Sequence, residues 1–135
     1  MKTATPARKP AAASPLAALI ALAALKKGEQ LAGMVFDGEA WHLVVLLPGE
    51  LKNGTWKSAV AWAKKQGGEL PTRREQSLLF ANLKDAFEGE WYWSSEQSAS
   101  DAEFAWFQIF YNGGQYYYLK SAELRARAVR RLTLQ

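Results

Sequence analysis

Residues 91–131, WYWSSEQSASDAEFAWFQIFYNGGQYYYLKSAELRARAVRR, limit what this chain can become more than any other stretch. They hold 11 of its 17 aromatic side chains, too many for a solvated linker. Asn112-Gly113 sits between two aromatic runs, and that pair tolerates the positive φ of a tight hairpin turn. The stretch therefore predicts strands over 91–94, 103–111 and 115–119, with a polar loop after the first and a turn at 112–114. A last strand is expected over 124–131.

A chain of 135 residues suits one domain with its own core. A hydrophobic content of 49% argues against disorder. With no cysteine, disulfides, thiolate metal sites and Cys nucleophiles are excluded together, and a reducing compartment fits. The net charge of +4 is unevenly spread: residues 1–27 carry five Lys or Arg and no acid. The segment from Lys120 adds Lys120, Arg125, Arg127, Arg130 and Arg131 against Glu123 alone. A basic tail and a basic last strand could meet nucleic acid or an anionic surface, or simply face solvent.

Ahead of the aromatic stretch, residues 1–15 are rich in Ala, Pro and Ser and read as a disordered basic arm. Residues 16–27 form an Ala/Leu helix, with Ser14 to cap it, Pro15 at its first position and Gly28 beyond its end. It is too short to span a membrane. Leu16, Leu19, Ile20 and Ala23 share one face, which packs on the rest of the domain or on a second copy in a small homo-oligomer. An alternative makes this segment a signal peptide, with Lys2, Arg8 and Lys9 as its charged region and 21–23 as a cleavage box.

Residues 28–135 then form the main domain. A hairpin over 33–47 turns at Asp37-Gly38, and the apolar run from Trp41 reads as a central strand covered on both faces. His42, the only histidine, reads as structural, since the sequence names no partner for a base. Pro48-Gly49 and Asn53-Gly54 mark a loop. Thr55 caps a second helix with Trp56, Val60 and Ala63 on its apolar stripe, ended by Gly67-Gly68. Thr72 and Glu75 form a capping box for a third helix, whose Leu79, Leu83 and Phe87 point to the core. Two helices packed beside a twisted, mostly antiparallel sheet make an α+β domain.

Catalytic signatures are absent. Glu88 with Glu90, and Asp101 with Glu103, read as solvated loop charges. Gly113-Gly114 is a turn and not a phosphate cradle, because no helix opens after it. No ligand cluster points to a metal, and no cofactor is expected. A binding surface fits better: Tyr111, Asn112, Gln115, Tyr116, Tyr117 and Tyr118 have the composition of evolved recognition surfaces. Ser95, Glu96 and Gln97 of the polar loop beside the hairpin tip join them, with Arg125 and Arg127 adding charge from the last strand. Alternation puts Tyr116 and Tyr118 on one face and Tyr117 on the other, so one set is expected in the core, with Tyr117 the first choice for an exposed contact. Trp91 and Trp93 also share a face, expected mainly buried.

The runs GELPTRRE at 68–75, WYWSS at 91–95, Ala105-Trp106, Asn112-Gly113 and RARAVR at 125–130 stand in the order of one family's pattern. Over about residues 55–132 the chain resembles the Lcl C-terminal domain family, a domain of largely unknown function found in phages, prophages and at the ends of bacterial adhesins. The resemblance implies a C-type-lectin-like fold, related to that of formylglycine-generating enzymes. The lectin calcium motifs Glu-Pro-Asn and Trp-Asn-Asp do not occur, nor does any cysteine, so the fold carries over without those activities. The Ala/Leu helix stands where an adhesin would have a fibre stalk, which favours a stand-alone phage-type protein.

The leading expectation is a non-catalytic recognition domain, cytoplasmic in the host of a phage or prophage, that binds a protein partner, with the bacterial host as a candidate source. One alternative is a nucleic-acid-binding accessory protein that uses the arginine strand and basic arm. Another, tied to the signal-peptide reading, is an exported carbohydrate- or surface-binding module.

Overall fold

The computed structural model describes residues 14–134, so most of the arm expected over 1–15 lies outside the described residues. Ser14 accepts a hydrogen bond from the Ala17 amide and Pro15 opens α1 (Pro15–Ala23). The helix ends four residues short of the expected 27, because Ala24 takes the left-handed conformation at φ 49°. β1 (Gln30–Phe36) and β2 (Trp41–Leu46) form the expected hairpin, with the Asp37 carboxylate accepting from the amides of Glu39 and Ala40. Residues 42–47 are all buried, as a central strand requires.

Where a loop was expected, residues 51–54 form a short strand, β3 (Leu51–Gly54). Its Asn53-Gly54 turn signal is overridden by pairing further along the chain, and the Gly54 carbonyl accepts from the Trp93 indole at 2.9 Å. Thr55 caps α2 (Trp56–Lys65), and the reciprocal bonds of Thr72 and Glu75 open α3 (Arg73–Leu83) as the capping box predicts. A 3-10 turn, Lys84–Ala86, then carries Phe87 inward.

β4 (Trp91–Gln97), β5 (Phe104–Ile109) and β6 (Gln115–Leu119) form an antiparallel meander. The single strand expected over 124–131 is two: β7 (Leu124–Ala126) and β8 (Val129–Thr133). They lie in different sheets, one ordered β3-β7-β4-β5-β6 and the other β1-β2-β8. Arg127 makes the break. Its guanidinium turns inward and donates to the carbonyls of Leu47 (2.8 Å) and Ala86 (2.6 Å), while the Leu47 amide donates to Ala128. The chain so crosses from sheet to sheet. Gly68 is required beside this crossing, since a Cβ there would run into the Val129 carbonyl.

The molecule is thus α+β, with its sheets mostly antiparallel. One core cluster sets Ala59 and Ala63 of α2 against Trp93, Ala105 and Phe107. A second sets Leu79 of α3 against Val44, Tyr92, Phe110 and Val129. Each fully buried large apolar side chain contributes about 1.5–3 kcal/mol relative to exposure. A third cluster places Ala23 of α1 on Leu43 and Val45, so the helix packs on its own domain by one end. Leu16, Ile20 and Leu22 remain exposed.

His42 is buried and has a partner that the sequence could not name. Its Nε2 lies 2.7 Å from the Glu75 carboxylate, which Arg131 also engages from β8. Burial pushes the Glu75 carboxyl up, but hydrogen bonds from Arg131, the Thr72 amide and His42 outweigh it and hold the group below the usual glutamate range. One carboxylate therefore caps α3 and ties it to the three-stranded sheet. Among the described residues no helix is long and apolar enough to cross a membrane.

Candidate recognition surface

The meander of β4, β5 and β6 has two faces, and the register assigns each side chain. Trp91, Trp93, Phe107, Tyr116 and Tyr118 point one way; Tyr92, Trp106, Gln108, Gln115 and Tyr117 point the other. α2 packs on the first face in the cluster of Trp93, Ala105 and Phe107. α3 covers the second over Tyr92 and Gln108 and, through Arg73, reaches Trp106 and Gln115. β6 lies at the sheet edge, where α3 reaches it at Gln115, which bonds to Arg73 and Ser77. All three tyrosines are exposed (57%, 53% and 45% for Tyr116, Tyr117 and Tyr118), which overturns the expectation that one set is core.

The two tryptophans also part company. Trp93 is fully buried, whereas Trp91 is 40% exposed at the start of its strand, past the end of α2's cover. Trp91 stacks on Phe107 at 4.5 Å between ring centroids, and Tyr118 meets its edge at 5.9 Å. Tyr116 flanks the same Phe107 at 6.2 Å. Three half-exposed rings thus stand on one buried ring, fixed by packing and by a regular strand. Such a face offers broad apolar contact and adaptable hydroxyls at low entropic cost. Trp91 was missing from the expected site because its parity with Trp93 was read as burial. The polar run Glu88-Gly89-Glu90 just before it was the available sign that the strand opens at the surface.

The other expected residues do not gather into one patch. Tyr111 and Asn112 cap the β5–β6 turn, while Ser95, Glu96 and Gln97 lie at the opposite end of the meander, where Lys120 meets Glu103. The loop after β4 is therefore not beside the hairpin tip: in an antiparallel meander successive connections fall at opposite ends. Ser95 is tied to Pro71 by its amide, and Glu96 accepts from the Arg73 amide at 2.8 Å. The Arg73 guanidinium lies 3.5 Å over the Trp106 ring and donates to Gln115, which bonds in turn to Gln108. Of the three β6 tyrosines Tyr117 alone lies on this face, with Phe104 and Trp106 edge-on to it at 5.8 and 5.1 Å.

The arginines of the last segment differ most from expectation. Arg127 is buried and makes no surface contact; its position in the interior follows from the two carbonyls it satisfies. Arg125 is bound to Glu50, which also accepts from the Tyr92 hydroxyl at 2.7 Å. Arg125 and Trp91 line one shallow groove with Lys52, Asn53, Glu90 and Glu123, so this arginine borders the aromatic face with its charge already paired. Arg130 is paired with Glu29, and Arg131 with Glu69 and Glu75. Among the described residues no group of His, Cys, Asp and Glu is placed to hold a metal ion.

Comparison of the chain with protein-family models and with curated proteins gives no match.

Proposed function

We propose that this is a non-catalytic recognition domain that binds a protein partner through the face formed by Trp91, Tyr116 and Tyr118. The observation that carries the reading is the rigid support of these exposed rings on buried Phe107. A solvated face without a task normally carries Lys, Glu or Thr, because exposed aromatic clusters invite association. Rigid aromatic anchors surrounded by polar side chains are what binding hot spots are made of. Arg125 with Glu50 forms its charged border.

The resemblance to the Lcl C-terminal domain family belongs to the same proposal, and with it a C-type-lectin-like fold and a phage or prophage protein acting in the host cytoplasm. Nucleic-acid binding is the weaker reading, since Arg125, Arg130 and Arg131 are paired with carboxylates and Arg127 is buried. Affinity capture from bacterial lysate, run with wild type and Trp91→Ala side by side and with and without nuclease, separates the two. A protein held by wild type, lost with Trp91→Ala and indifferent to nuclease supports the proposal. Material released by nuclease and retained by Trp91→Ala contradicts it.

A further inference from the structure

Among the described residues no strand pairs with the outer edge of β6. Hydrogen bonds fix which backbone groups already face β5: the Gly114 carbonyl accepts from the Ile109 amide, and the Lys120 amide donates to the Glu103 carbonyl. Antiparallel pairing alternates, so Gly114, Tyr116, Tyr118 and Lys120 face inward while Gln115, Tyr117 and Leu119 point their N–H and C=O groups away from the sheet. Of these, the Leu119 carbonyl accepts from the Ala122 amide. β6 is an edge strand whose register with β5 is continuous, so no bulge twists it away. Residues 115–119, QYYYL, contain no charge and no proline, the usual protection of an exposed edge.

We infer that this edge is covered by a second copy of the chain, with the two β6 strands antiparallel about a two-fold axis at Tyr117. The sequence favours a copy over a foreign strand because the tyrosine run 116–118 reads the same in both directions about that residue. Tyr117 is both the centre of the Tyr-Tyr-Tyr run and an outward-facing position. Two-fold pairing there sets Tyr117 opposite Tyr117, exchanging both N–H···O bonds, and sets Gln115 opposite Leu119 of the other copy. The Leu119 amide then donates to the other copy's Gln115 carbonyl. Tyr116 of each copy falls opposite Tyr118 of the other, an aromatic cross-strand pair on each side of the axis. No like charges oppose one another within the paired segment. An isologous contact of this kind closes on itself and does not propagate.

The dimer does not depend on the recognition reading. It joins the two five-stranded sheets into one, and it brings the two Trp91/Tyr116/Tyr118 faces side by side. Sedimentation over micromolar to millimolar concentrations tests it. The wild type is expected to be dimeric, and Tyr117→Lys, which places two charges at the axis on a side chain already 53% exposed, to be monomeric while still folded and melting cooperatively. Amide exchange of the wild type supplies an arm that needs no variant. Dimerisation should protect the Tyr117 and Leu119 amides in a concentration-dependent way, while Tyr116 and Tyr118 stay protected throughout. A monomer at every concentration overturns the inference. So does a dimer that persists in folded Tyr117→Lys, or one whose Tyr117 and Leu119 amides exchange freely.

Discussion

At the scale of single residues, Glu75 does the most with one side chain. Fully buried, it closes the capping box on Thr72, meets His42 and receives Arg131. Its depressed pKa fixes the sign of a pH effect: the stability it contributes is whole above the ordinary glutamate range and is lost as pH falls through its lower folded value. Glu29, held low chiefly by its hydrogen bond to Arg130, acts in the same direction. Glu75→Gln should cost about 3 kcal/mol at neutral pH, because it leaves Arg131 partly uncompensated. The same variant should lose less stability than wild type as pH falls below the ordinary glutamate range, as denaturation series at several acid pH values would show. Equal acid sensitivity in the two proteins would mean the carboxylate is not held low. Thr72→Ala removes only the other half of the box and should cost about 1 kcal/mol. Unchanged thermal stability would place the start of α3 elsewhere.

At the scale of elements, what the sequence revealed depended on whether the signal was local. The starts of α2 and α3 were legible at Thr55 and Thr72, since a cap needs only its own first turn. The β1–β2 and β5–β6 turns were legible at Asp37-Gly38 and Asn112-Gly113 for the same reason. β3 was not, because Leu51 and Gly54 become strand only through Ala126 and Leu124, far along the chain. The break between β7 and β8 was hidden for a related cause: the alternating arginines read as one strand, and the carbonyls that draw Arg127 inward come from Leu47 and Ala86. α1 was readable as a helix, but its contact was not. Ala23 sits fully buried against Leu43 and Val45, and its carbonyl accepts from Arg130. Deleting residues 1–27 should therefore lower stability by about 2 kcal/mol in urea denaturation, mostly through exposure of this cluster. A denaturation curve that matches wild type would show that α1 contributes nothing to the fold.

At the scale of the whole molecule, the proposed function rests on where the helices stop. α2 and α3 bury the middle of the five-stranded sheet and leave its β6 tyrosines uncovered, so aromatic residues that elsewhere would be core become surface. The aromatic wealth of the site was plain in the sequence; which rings were exposed was not, because strand parity gives the face and only packing gives its cover. Trp91 emerged and Arg127 withdrew for that reason. The account rests on Trp91, Tyr116 and Tyr118 being a contact surface carried by a stable fold. Calorimetric titration of the captured protein partner with Tyr118→Ala, beside a melting curve of the variant, tests this directly. Affinity reduced by roughly 2 kcal/mol with an unchanged melting temperature is the predicted result for a hot spot. A folded Tyr118→Ala that binds like wild type would contradict it.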